Sequence, residues 1–160
     1  MSGTGAPAPA IPTDLGKDTT VTIVAATWHD QVMSGLIAGA RRALEAAGVT
    51  VRTVRVPGTF ELALGATYAI DAGADAVVAL GVVIRGGTPH FDYVCEAATR
   101  GLTDVSLAHS TPVGFGVLTC DDDAQALDRA GLEDSNEDKG FEAACAALDM
   151  LALRAGLAAR

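Results

Sequence analysis

From about residue 20 onward the hydrophobic positions switch repeatedly between two periods. Thr20 to Thr27 (TVTIVAAT) is rich in β-branched residues and predicts a strand. Val32, Leu36, Ile37, Ala40 and Leu44 then recur at helical spacing, and Gly48 follows as a stop. Thr50 to Val56 predicts a second strand; it carries Arg52 and Arg55, as an edge strand with water on one side would. Phe60 to about Asp71 returns to the helical period through Ala63, Ala66 and Ile70. Ala76 to Ile84 (AVVALGVVI) is an unbroken apolar run, expected of a central parallel strand covered on both faces. Phe91, Val94, Cys95, Ala98, Leu102 and Val105 make the next helical stripe. Val113 to Thr119 predicts a fourth strand, and Asp121 is placed to cap a short helix running through Arg129. An acidic loop, Glu133 to Asp138, leads into a last helix with Phe141, Ala144, Cys145, Leu148 and Leu151 on one face.

Strand and helix alternate throughout, which predicts an α/β fold: a mostly parallel four-stranded sheet with helices on both faces, a three-layer α/β/α sandwich. Right-handed crossovers leave few topologies, and strand order 2-1-3-4 is the simplest. Residues 1–17 lack periodicity and contain Pro7, Pro9 and Pro12, so they read as a flexible tail ahead of a single domain over 18–160.

Composition narrows the picture. Aromatics are 4% of the chain, so the core must be built from Ala, Val, Leu and Ile, and each aromatic invites scrutiny. A net charge of −9 argues against nucleic acid or an anionic membrane as partner, while leaving room for a small anion held by one local cluster of donors. Cys95, Cys120 and Cys145 form no C-x-x-C pair and read as reduced thiols. No signal peptide and no apolar stretch near the roughly 20 residues of a membrane helix is recognisable, which makes the cytoplasm the default location. No group of His, Cys and acids has metal-ligand spacing, so no metal is expected.

Ligands of open α/β sheets bind beyond the carboxyl ends of the strands. Those ends are Thr27-Trp28-His29, Pro57-Gly58-Thr59-Phe60-Glu61, Arg85-Gly86-Gly87-Thr88-Pro89-His90 and Thr119-Cys120-Asp121. The third carries most information. Two glycines allow close backbone approach and unusual dihedrals. Thr88 suits an N-cap and Pro89 the first helical position, so free N–H groups there offer a site for a phosphate or carboxylate. His90 lies in that first turn, where the helix field disfavours imidazolium and favours a neutral base. On these residues alone, a plain Gly-rich turn with a surface histidine fits equally well. Trp28 can stack on a planar ligand, although a core or interface tryptophan is the simpler account of it taken singly. His29 and His109 look ordinary, and no nucleotide-binding fingerprint is present.

The run Gly81-Val82-Val83-Ile84-Arg85-Gly86-Gly87-Thr88-Pro89-His90-Phe91-Asp92-Tyr93-Val94 closely resembles the signature segment of the 6,7-dimethyl-8-ribityllumazine synthase family. The likeness extends to Trp28, to Gly58-Thr59-Phe60-Glu61, to Pro112 through Thr119 and to Gln125 through Gly131, in the same order and at similar spacing. It implies a flavodoxin-like sheet and a transferase of riboflavin biosynthesis, acting at the penultimate step. The enzyme would condense 5-amino-6-(D-ribitylamino)uracil with 3,4-dihydroxy-2-butanone 4-phosphate, releasing phosphate and water, without a cofactor. By matching positions, the resemblance implies that Trp28 stacks on the pyrimidine. Thr59, Phe60, Glu61, Val82, Val83 and Ile84 would contact the pyrimidine and ribityl chain. Gly87 and Thr88 would hold the butanone phosphate with Arg129 as cationic partner, His90 would transfer the proton, and Lys139 would lie near the site.

Phe115 at the start of strand four and Arg129 at the end of a returning helix are both expected at the sheet edge opposite His90. A neighbouring subunit would then supply them, which implies a homo-oligomer with interfacial sites; the family forms pentamers, some packed into icosahedral shells. Leu132 to Asp138 is longer and more acidic than the Gly-containing turn of shell-forming relatives, which favours a free homopentamer. Three rivals fit less well. A flavin- or lumazine-binding protein would not need His90 or Arg129. A receiver domain needs acids after strand one, where Ala26-Thr27-Trp28-His29 stands, and the acidic loop argues against a non-catalytic shell scaffold.

Overall fold

In the computed structural model, which describes residues 9–12 and 15–159, the apolar runs form a single parallel sheet. The strands are β1 (Thr20–Ala26), β2 (Thr50–Val56), β3 (Ala76–Ile84) and β4 (Val113–Cys120), in the order β2-β1-β3-β4. The helices are α1 (Asp30–Ala46), α2 (Leu62–Asp71), α3 (His90–His109), α4 (Asp123–Asp128) and α5 (Lys139–Ala158). α1 and α5 cover one face of the sheet through Leu36, Leu44 and Leu148; α2 and α3 cover the other through Leu62 and Leu102. The architecture is the three-layer sandwich that the alternating periods predict. β3 is central and its first seven residues are buried, whereas β2 lies at an edge with a half-exposed pattern. The expected tail falls partly on residues 1–8, 13 and 14, which lie outside the described residues; Ile11 and Leu15 pack against the core.

Several boundaries differ from the periodic reading, each for a local reason. A short 3-10 turn, Thr59–Glu61, precedes α2, so the helix begins at Leu62 rather than Phe60. The cap of α4 is Asp122, whose carboxylate accepts from the Gln125 N–H at 2.8 Å, and not Asp121, which lies one residue too early. α4 spans six residues, about 9 Å, so it does not run back along the sheet. Asp138 caps α5 by accepting from the Phe141 N–H at 2.9 Å.

With so few aromatics, the layers close by bringing backbones together. A Cβ on Gly140, in the first turn of α5, would stand 2.0 Å from the Leu36 carbonyl oxygen of α1. A Cβ on Gly114 of β4 would stand 2.2 Å from the Ala143 carbonyl oxygen of α5. These contacts leave no volume for a methyl group, so α1, α5 and β4 are locked at a separation that glycine alone permits.

Gly140→Ala is therefore expected to cost roughly 1–3 kcal/mol. Gly156→Ala, late in α5 where an added Cβ meets nothing within 4 Å, is expected to gain up to about 1 kcal/mol. Thermal unfolding of both variants beside the parent checks the order. A Gly140→Ala protein melting at or above the parent would contradict the close packing.

Candidate active site

The cleft follows from unequal strand lengths. Ala25 pairs with Leu80, and β1 stops one residue later at Ala26. β3 continues to Ile84, supported on its other side by β4, where Ile84 pairs with Cys120. The end of β3 thus overhangs β1 and forms a wall. The chain leaving β1 and the chain leaving β2 build the rest, joined by a 2.6 Å hydrogen bond from the Thr27 hydroxyl to the Pro57 carbonyl. The result is an open cleft of about 550 Å³ lined by Trp28, His29, Gly58, Thr59, Phe60, Glu61, Val82, Val83, Ile84, His90 and Val94. That volume suits a small organic ligand.

Trp28 and Phe60 are 68% and 62% exposed, far more than aromatic side chains in a folding core. They present flat apolar surface beside the Glu61 carboxylate, so the cleft can bind a planar ring and accept hydrogen bonds from its edge. Thr59 differs from its neighbours. It is buried, and its hydroxyl donates to the Val82 carbonyl at 3.2 Å. A Cβ on Gly81 would come within 2.7 Å of that hydroxyl oxygen. Thr59 therefore seats the 3-10 turn on β3, and any ligand contact it makes is through its backbone.

His90 is the first residue of α3 and reaches the cleft from above the end of β3. Pro89 occupies the N-cap position, and Thr88 makes no capping hydrogen bond, contrary to the sequence expectation; proline leaves the turn without a side-chain cap. Gly86 and Gly87 do not have positive φ, and an added Cβ at either would meet nothing within 4 Å. What these glycines provide is open approach to the backbone rather than an unusual dihedral. The segment from Gly86 to His90 is exposed at every residue.

Phe115, Arg129 and Lys139 do not line this cleft. Phe115 pairs with Ala79, five residues before the end of β3, and is 44% exposed on edge strand β4. It lies on the order of 16 Å back from the carboxyl ends. Arg129 departs from expectation. Because α4 is short, Arg129 stays near the carboxyl end of β4, donating to the Gln125 carbonyl at 2.9 Å; burial raises the pKa of the Cys120 thiol there, and the Arg129 charge opposes that rise only in part. It lies at the same end of the sheet as His90, not the opposite end. Glu137 lies between Arg129, at 3.8 Å, and Lys139, and Glu142 accepts from Lys139 at 2.8 Å. Both cations thus belong to a network with carboxylates within one subunit. Burial opposes the charge on Lys139, but the hydrogen bonds to Glu137 and Glu142 outweigh it and raise its pKa.

Three lining residues carry no site role in the sequence reading: His29, Gly58 and Val94. Val94 stands four residues after His90 on α3, a helical spacing that would have found it. His29 looks unremarkable in sequence, yet it adopts a left-handed conformation, φ 59°, at the N-cap of α1. A non-glycine residue held there is uncommon, and this one makes the junction between Trp28 and α1.

A family model described as 6,7-dimethyl-8-ribityllumazine synthase matches residues 18–155. A protein of that name from Clavibacter sepedonicus is 64% identical over 149 residues, covering 92% of each chain. One from Kineococcus radiotolerans is 61% identical over 159 residues, covering 99% of this chain and 97% of its own. One from a Nocardioides species is 66% identical over 149 residues, covering 92% and 91%.

The Lys139 network has a pH signature. Its folded pKa is raised above the ordinary 10.5, so its contribution to stability is complete below that value and is lost as pH rises through the folded pKa. Lys139→Met should flatten the fall of the urea midpoint above about pH 10. An unchanged slope would show that the ion pairs are not coupled to folding.

Proposed function

The chain belongs to the 6,7-dimethyl-8-ribityllumazine synthase family, and on that premise we propose how its cleft performs the family's condensation. It is a transferase of riboflavin biosynthesis acting on small molecules and working as an oligomer. It joins 5-amino-6-(D-ribitylamino)uracil to 3,4-dihydroxy-2-butanone 4-phosphate, giving 6,7-dimethyl-8-ribityllumazine and releasing phosphate and water. The observation that carries the residue assignment is one cleft in which two exposed aromatics and a carboxylate stand opposite His90.

Trp28 stacks on the pyrimidine. Phe60, Glu61 and the Thr59 backbone bind its edge and the start of the ribityl chain, with Val82, Val83 and Ile84 as the apolar wall. The open Gly87-Thr88 backbone at the start of α3 receives the phosphate. The amine of the pyrimidine adds to the ketone and an imine forms with loss of water. His90 takes up the proton whose removal accompanies departure of phosphate; the resulting enol tautomerises to a ketone, and the ribitylamino nitrogen adds to it and closes the ring with loss of a second water. Much of the acceleration comes from holding two small reactants in register.

Phe115, Arg129 and Lys139 complete the site from a neighbouring subunit, because none of them lines the cleft of its own chain. We favour a free homopentamer. Support comes from exposed Phe115 on the edge strand and from the acidic Leu132–Asp138 loop, which folds back on α4 through the Glu137 N–H to the Asp128 carbonyl, 3.0 Å. Residues 18–160 act as one catalytic domain. The cytoplasm is the proposed location, since Cys95, Cys120 and Cys145 are free and two of them are buried.

Two measurements test this reading. The purified protein mixed with both substrates should form fluorescent lumazine and release phosphate faster than the spontaneous reaction. His90→Ala should lower that rate about a hundredfold or more while retaining pyrimidine affinity. A full rate in the variant would remove His90 from its role. In light scattering, five chains of 16.2 kDa should give a particle of about 81 kDa; a particle of megadalton scale would defeat the free pentamer.

A further inference from the structure

The exposed Gly86–His90 turn needs something to hold it still. An added Cβ on either of its glycines would meet nothing within 4 Å, its helix lacks a side-chain cap, and all of its residues are exposed. A turn of this kind samples many conformations unless its ends are fastened. Catalysis through His90 requires the opposite, because small misplacements of a reacting group are costly.

The fastening is visible at Arg85, the residue before the turn. Its N–H donates to the Cys120 carbonyl at 2.9 Å, which continues the β3–β4 ladder one step. Its guanidinium Nε donates to Asp121 at 3.0 Å, just past the end of β4. An Nη donates to Asp92 at 3.4 Å, in the first turn of α3. The guanidinium carbon lies 4.1 Å from the centre of the Phe91 ring. One planar cation therefore touches both sides of the turn and ties them to β4. The Asp121 hydrogen bond, reinforced by Asp92 and opposed by burial, raises the Arg85 pKa, so the charge persists across the working range.

We propose that Arg85 is a positioning residue for the condensation: it braces the Gly86–His90 turn between Asp121 and the first turn of α3, and so fixes His90 and the phosphate cradle. This rests on the assignment of that turn to proton transfer and phosphate binding. An exposed ion pair alone would contribute little. Here two carboxylates and a ring share one fork-shaped cation, and lysine cannot reproduce that arrangement, since its ammonium is a point charge without a plane to stack.

The test uses full-length Arg85→Lys, Asp121→Asn and the double variant. Arg85→Lys should raise the KM for the butanone phosphate on the order of tenfold, weaken inorganic phosphate binding in titration by a similar factor, and move the His90 ring proton signals in NMR. The KM for the pyrimidine and the melting temperature should stay near the parent values. Asp121→Asn should change the same quantities less, and the double variant should be no worse than Arg85→Lys, because both changes break one brace. Unchanged His90 signals and phosphate affinity in Arg85→Lys would overturn the proposal. A parallel fall in both KM-dependent rates together with melting temperature would also overturn it, by marking a merely structural residue. If the parent fails to form lumazine, the reaction assignment falls instead, and the NMR and phosphate titrations still decide the brace.

Discussion

Close approach of backbone to backbone is the constraint on which this molecule rests. A core of alanine, valine and leucine fills little volume per residue, so its layers must come nearer than aromatic cores allow. At Gly140 and Gly114 the carbonyls of α1 and α5 occupy the space a methyl group would need. At Gly81 the missing Cβ serves the site in another way, leaving room for the Thr59 side chain and so letting the 3-10 turn settle on β3. The position of Phe60 and Glu61 is thus inherited from packing, with the Thr59 hydroxyl as the fixing point.

The cleft itself is a consequence of strand length. β3 outruns β1, and β4 carries the excess, so a wall stands over a gap that two connecting segments then line. Parallel strands put all of these ends on one side. The opening receives aromatic faces from the β1 and β2 ends and a histidine from the β3 end, which brings two aromatic rings, a carboxylate and an imidazole into one small volume.

Electrostatics follows local arrangement rather than net charge. The chain is strongly acidic, yet its reaction uses a phosphate ester. Three cations near the relevant end of the sheet are matched to carboxylates: Arg85 to Asp92 and Asp121, Arg129 to Glu137, Lys139 to Glu137 and Glu142. Such networks hold long side chains in fixed positions, and they keep cationic groups at hand without making the surface basic.

By itself the sequence determined the sandwich, the 2-1-3-4 order and the edge position of β2, because periods of two and 3.6 and the hand of crossovers are properties of local chain chemistry. It also marked Trp28, Phe60, Glu61 and His90 as candidates, since strand ends can be counted. Local pattern ended α4 at Arg129, within one residue of its observed end, but could not give the helix's path, and so misjudged the end of the sheet at which Arg129 lies. Nor could it show that the Thr59 side chain turns inward, that His29 is left-handed, or that one Arg85 guanidinium meets both Asp121 and Asp92. Those facts depend on which atoms meet across elements far apart in sequence, and only the packed tertiary structure decides that.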